Sequence, residues 1–237
     1  MIRHRWDISP KRAIALQRQL AGKVRVCPLP GPVRTVAGAD CAFLPGGRKI
    51  VAAAVLCDAR TLEVIAARHV VRPCRFPYVP GLLSFREAPA VIAAVKALPQ
   101  QPDLLLCDGQ GLAHPRRLGL AAHVGLWLEL PTIGLAKSRL CGEHRPVGRR
   151  RGCRVQLRHD GEVVGAVVRT RTGVKPLYVS VGHRVTLPQA VRWTLRCGRE
   201  YRLAEPIRQG HLLVGAVCRG RGGALMQRPG GGYNHDV

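Results

Sequence analysis

The stretch DLLLCDGQGLAHPRRLGLAAHVGLWLELPTIGLAKS, residues 103–138, sets the fold through the order of its patterns. Residues 103–107 are a short continuous apolar run of the kind a buried parallel strand needs, and Asp108 falls at its carboxyl end, before Gly109 and Gly111. Residues 116–129 read as a helix and 131–138 as a second short strand, so the stretch predicts a β-α-β unit. Open α/β sheets place their chemistry at the carboxyl ends of such strands. Asp108 and Lys137 are therefore expected on one rim.

Upstream, residues 34–44, 49–57 and 61–71 are β-rich runs separated by Pro45-Gly46-Gly47 and a short Asp-Ala-Arg link, which predicts an antiparallel three-stranded meander. Asp40 lies in the middle of the first run. A carboxylate in an apolar strand needs a cation, a hydrogen-bond network or solvent. Alternation puts Val36, Gly38 and Asp40 on one face, with Gly38 expected to leave open space beside the acid. Residues 8–22 predict a first helix, entered through Ser-Pro and left through Gly.

Residues 72–81, RPCRFPYVPG, must form a stiff loop, because Pro73, Pro77 and Pro80 fix the backbone and remove donors. The following segment predicts a helix whose apolar face carries Ala88, Val91, Ile92, Val95 and Leu98. Ser84-x-x-Glu87 matches a capping box, which offers Glu87 a structural role beside a chemical one. His123, in the apolar run LGLAAHVGLWL, reads as a satisfied core histidine.

The chain of 237 residues carries 38 Lys+Arg against 14 Asp+Glu, a formal net charge of +24. That field attracts polyanions, and carboxylates gathered at one point would stand out within it. Nine cysteines lie far apart without zinc-ligand spacing, so they are expected as reduced, mostly buried residues. No apolar run is long enough for a membrane span and the N-terminus has no signal-peptide core, which makes the expected location cytoplasmic. Arg149-Arg150-Arg151 reads as an exposed loop able to touch phosphate. One catalytic domain is expected over residues 1–218, and residues 219–237, rich in Gly and Arg, read as a mobile tail.

Asp40, Glu87 and Asp108 thus stand in three separate frames of an acid-poor chain. Hard divalent cations take oxygen ligands and can hold both oxygens of a phosphodiester displacement, so converging carboxylates on a basic protein predict a metal-dependent nuclease. A meander, a helix and then β-α-β is the ribonuclease H-like arrangement, a mixed α/β sheet with helices on both faces. The phrases VAGADCAF (36–43), PYVPGLLSFRE (77–87), PDLLLCDGQGLAHPRRLGLAAHVGLWLELPTIGLAKSRLCG (102–142), RTRTGVKPLYVSVGH (169–183) and YRLAEPIRQGHL (201–212) resemble those of the endonuclease V family.

That resemblance implies hydrolysis of the second phosphodiester 3′ to inosine, in DNA repair, with Mg²⁺ as cofactor and Mn²⁺ as the alternative ion. By the same resemblance Asp40, Glu87 and Asp108 hold the metal, Lys137 contacts the reacting phosphate or its water, and His211 completes the surroundings. Pro77, Tyr78, Val79 and Pro80 correspond to a wedge, while Gly81, Leu83, Gly109 and His114 correspond to a backbone-lined pocket for hypoxanthine. Rigid loops with one aromatic suit an enzyme that must extrude a base and fill the gap. Ala204, Gly210 and Val181 depart from the family pattern without removing any of these groups. The implied partner is inosine-containing DNA, single-stranded DNA or RNA, met by a monomer; the alternatives are an inosine-RNA endoribonuclease and a catalytically silent inosine-binding protein.

Overall fold

The computed structural model describes residues 2–220. Eight strands form one mixed sheet in the order β3-β2-β1-β4-β5-β8-β7-β6. The meander is β1 (Thr35–Phe43), β2 (Lys49–Asp58) and β3 (Val64–Pro73), paired antiparallel. The predicted parallel pair is β4 (Leu104–Asp108) and β5 (Thr132–Ala136), with β4 also parallel to β1.

Alternation sorts the two cores. On one face Val36, Leu104, Leu106, Ile133 and Leu135 pack with residues of α4 (Leu187–Cys197) and α5 (Glu205–Cys218). On the other face Ala37, Ala39, Leu105 and Cys107 pack under α2 (Leu83–Lys96) and α3 (Leu120–Leu128). Strands buried on both sides read as unbroken apolar runs, as DLLLC does. Helix α1 (Pro10–Ala21) is capped by Ser9, whose side chain accepts from the Arg12 N–H, and its Leu20 packs with Leu118, Ala122 and Leu126.

Three expectations are corrected. The open space beside Asp40 does not exist: a Cβ on Gly38 would stand 2.1 Å from the Pro206 carbonyl carbon, so the glycine is where α5 presses on the sheet. The capping box does not form: Leu82 occupies the N-cap with no side-chain bond, and Ser84 instead shares a 3.1 Å hydrogen bond with His123 Nδ1. The third helix starts at Leu120 rather than 116, since Arg117 takes a left-handed φ of 56° and interrupts the turn before it.

The antiparallel extension β8 (Leu177–His183), β7 (Glu162–Val168) and β6 (Arg154–His159) was not anticipated. Its signal was present. Asp160-Gly161 joins β6 to β7 with φ of 54° and 79°, the positive pair that a tight two-residue hairpin favours in Asp-Gly. All nine cysteines are free thiols, as expected, but only Cys57, Cys107 and Cys197 are buried, so the expectation that most would be is not met. Among the described residues no helix is long and apolar enough to cross a membrane. Of the tail, residues 221–237 lie outside the described residues.

Candidate active site

Parallel pairing of β1 with β4 aligns Ala39 with Cys107, so the next step along both strands sets Asp40 beside Asp108. Both carry the parity of the α5 face, and both lie where the pairing ends. Asp40 is buried; its Oδ1 accepts from the Cys41 N–H at 2.8 Å and its Oδ2 from His211 Nδ1 at 2.8 Å. Asp108 Oδ2 accepts from Lys137 Nζ at 2.5 Å. Burial raises the Asp108 carboxyl, and Asp40, within hydrogen-bonding reach, raises it further, while Lys137 works against both.

Glu87 reaches the same place from the first turns of α2. Burial pushes its carboxyl up to about 8, with Asp40 and Asp108 adding to the rise and a hydrogen bond with the Cys41 thiol opposing it. The Cys41 thiol is in turn driven well above its usual range by burial, then by Glu87, Asp40 and Asp108. Four side chains thus share one field. Three carboxylates held partly out of water against one ammonium are electrostatically costly and suited to a hard divalent cation.

A finished coordination shell is not already in place: among the described residues no three His, Cys, Asp or Glu side chains are grouped to hold an ion. Each carboxylate has a protein partner instead. Asp40 meets His211, Asp108 meets Lys137 and Glu87 meets Cys41. The donor set fits a divalent ion in type and charge, and each carboxylate keeps lone pairs for one beyond those that accept these hydrogen bonds.

Of the residues expected as wedge and pocket, 77–81 lie in the loop entering α2 and Leu83 is its first residue, while Gly109 and His114 follow β4. Leu82 N–H donates to Val79 O at 3.0 Å, closing a turn with Pro80 and then Gly81 at φ 77°, the order a type II turn requires. Tyr78 at its tip is 73% exposed, and Leu83 is also exposed. The Gly81 carbonyl accepts from His114 Nε2 at 3.0 Å, Gln17 Nε2 at 3.0 Å and Arg116 Nη2 at 2.7 Å. His114 Nδ1 accepts from the Arg116 N–H, which fixes the neutral tautomer, and burial lowers this ring to about 4. Gly109 packs against Leu120 at the end of β4.

Several contributors escaped the sequence reading. Arg86 lies 4.3 Å over the Phe43 ring and 5.7 Å from that of Tyr78, bracing the loop beside Glu87. Arg202 donates to Lys137 O at 2.6 Å and Pro176 O at 2.8 Å, holding the backbone from which Lys137 reaches Asp108. Cys41, expected only as one of the reduced thiols, is the hydrogen-bond partner of Glu87. Arginines in an Arg-rich chain offer no distinguishing pattern, so only their neighbours in space reveal them. His123 is the satisfied core histidine expected, bonded to Ser84 and to His4 Nε2 at 2.8 Å. Arg149, Arg150 and Arg151 are exposed, although Arg151 Nη2 donates to Leu195 O and Gly198 O.

A mixed sheet of this order, with Asp side chains where the parallel pairing of β1 and β4 ends, defines a ribonuclease H-like nuclease. A family model described as Endonuclease V matches residues 18–212, and the chain belongs to the endonuclease V family. It is 48% identical to Endonuclease V of Myxococcus xanthus over 221 residues, 93% of this chain and 94% of that one. The crystal structure of Endonuclease V from Streptomyces avermitilis superposes with a TM-score of 0.86 at 44% identity, covering 91% of this chain and 95% of that one. A Ciona intestinalis Endonuclease V crystallised with a 23mer DNA containing an inosine followed by a ribo-adenosine shares the fold, with a TM-score of 0.77 at 22% identity over 90% and 99% of the two chains.

Proposed function

We propose that this protein is a Mg²⁺-dependent endonuclease that recognises inosine in DNA and hydrolyses the second phosphodiester on its 3′ side, leaving 3′-hydroxyl and 5′-phosphate ends. The observation that carries the reading is the side-by-side placement of Asp40 and Asp108, with Glu87 in their field, in a chain of this family. The inosine-containing DNA held by the Ciona relative supports the substrate class.

In this reading Asp40 and Asp108 bind the ion directly and Glu87 binds it directly or through water; Mn²⁺ is the alternative ion. Once bound, the ion would activate a water for in-line attack and stabilise the departing 3′ oxygen. Lys137, released from Asp108, turns its ammonium to the scissile phosphate. His211 keeps Asp40 oriented. Pro77, Tyr78, Val79 and Pro80 enter the stack, and the exposed Tyr78 ring covers the gap left by the extruded base. Gly81, Leu83 and Gly109 line the hypoxanthine pocket. His114 clamps the Gly81 carbonyl, which leaves the turn's backbone groups fixed for reading the donor and acceptor pattern of the base.

A second reading, cleavage beside inosine in RNA, is favoured by the ribo-adenosine that follows inosine in the Ciona complex. One gel separates them: labelled inosine-DNA and inosine-RNA strands, each incubated with Mg²⁺ and with chelator. Nicking of the DNA strand with Mg²⁺ alone is expected. Intact DNA beside cut RNA would move the assignment to the second reading, and cutting in chelator would remove the metal from the mechanism.

A further inference from the structure

A groove of about 1300 Å³ runs between the segment after Lys137 and the β6–β7 hairpin. One wall carries His144 and Arg145, the other Arg154, Arg158 and His159. Arg145 and Arg154 are exposed, and among the described residues neither guanidinium has a protein partner. Two carboxylates stand at the groove, Glu143 and the exposed Asp160, the latter 3.9 Å from the Arg117 guanidinium.

The groove is tied to the active site from both ends. Tyr178 pairs with Ala136, the residue before Lys137, and its hydroxyl is 3.4 Å from His144 Nε2. Arg117 bridges the His114 carbonyl at 3.2 Å to the His159 carbonyl at 3.0 Å and the Glu162 carboxylate at 3.0 Å. Ala113, next to His114, packs on Leu157, Val164 and Val167 of the hairpin. Chain geometry allows at most about 3.6 Å per residue, so the eight steps from Lys137 to Arg145 limit their separation to roughly 29 Å. At 3.4 Å of rise per base pair, that is within about nine base pairs.

We propose that this groove is a second nucleic-acid contact, in which Arg145 and Arg154 hold the phosphate backbone of the strand flanking the cleaved nucleotide. The inference rests on the nuclease reading for its substrate but not on inosine recognition, because phosphate contacts position a protein without reading sequence.

The test compares the full chain, an R145A/R154A variant and a charge-matched R34A/R60A variant altered at the opposite end of the sheet. Each is titrated against a 30-base-pair duplex, with and without inosine, at several salt concentrations. The groove variant should bind about tenfold more weakly, with the slope of log K against log salt reduced by about 2, with or without inosine. R34A/R60A should retain the grip of the unaltered protein. Equal losses in the control variant, or an unchanged salt slope in R145A/R154A, would each overturn the proposal. Absence of inosine-dependent nicking by the unaltered protein would instead sink the functional reading, while a binding loss confined to R145A/R154A would still uphold the groove.

Discussion

Each acid at the centre was visible as an anomaly in the sequence, and Lys137 was expected on the rim of Asp108, but the Cys41 thiol that meets Glu87 was not. Asp40 stood out as a charge inside an apolar strand, and a register step from Ala39 and Cys107 explains how Asp108 comes to lie beside it. Glu87 was obscured by Ser84 three residues earlier, because the capping-box pattern is local while the contact that draws Ser84 away, His123, is 39 residues distant. Asp40→Ala should lower cleavage of inosine-DNA by at least ~100-fold, since lost charge stabilisation by a bound ion amounts to several kcal/mol. Binding in a gel-shift assay should survive, and retained nicking by the purified variant would refute the assignment. Glu87 supplies a pH test. Its folded value, about 8, lies above the ordinary 4.5, so its favourable contribution is full below 4.5 and disappears as pH rises through 8. In chelator the melting temperature should therefore fall between pH 6 and 9 by the equivalent of a few kcal/mol. Mg²⁺ should restore it at pH 9, and Glu87→Gln should flatten the decline while reducing the Mg²⁺ effect. A flat profile for the unaltered chain in chelator would contradict the burial of that charge.

At the level of elements, the meander, α1, α2 and the β-α-β unit were legible because each is written in local periodicity. The far half of the sheet was not, although Asp160-Gly161 marked its hairpin, because β6 is an edge strand whose mixed pattern of Arg, Gln and His lacks a continuous apolar run. Nor could the sequence show that α5 lies across β1. Gly38 is the point of that contact, where a Cβ would approach the Pro206 carbonyl carbon at 2.1 Å and the Ile207 nitrogen at 2.3 Å. Backbone cannot rotate aside as a side chain can, so Gly38→Ala should destabilise the fold by about 1–3 kcal/mol. It should also reduce cleavage, because α5 carries His211 to Asp40. Gly31→Ala, with open space around its added carbon, is the matched control and should leave the urea midpoint close to its original value. Equal midpoints for the two variants would show that α5 is not seated where these contacts place it.

For the whole molecule, buried histidines set the acid limit of stability. Burial lowers His123 to about 3 and both His114 and His183 to about 4, from 6.5. His4 completes the chain around His123: its Nδ1 faces the Arg5 carbonyl and so carries the proton, leaving Nε2 to accept from His123 Nε2, which in turn leaves His123 Nδ1 to accept from Ser84. Protonating His123 would place the new proton on Nδ1, so the Ser84 hydroxyl would have to turn from donor to acceptor beside a fully buried charge. The unfolded chain takes up these protons at about 6.5 while the folded chain refuses them until about 3 or 4, so stability falls as pH drops across that window. Each of these buried rings contributes on the order of 2–4 kcal/mol. Glu87 opposes the trend in metal-free protein, gaining stability over part of the same range, so bound Mg²⁺ should expose the histidine effect more fully. With Mg²⁺ at saturation, the urea midpoint should drop steeply between pH 6.5 and 4.5, by several kcal/mol in a fold whose total stability is about 5–15 kcal/mol. His123→Gln keeps a donor for His4 and cannot be charged; it should weaken the drop even if it lowers the midpoint at pH 7. A drop of undiminished size in that variant would assign the acid limit to other groups.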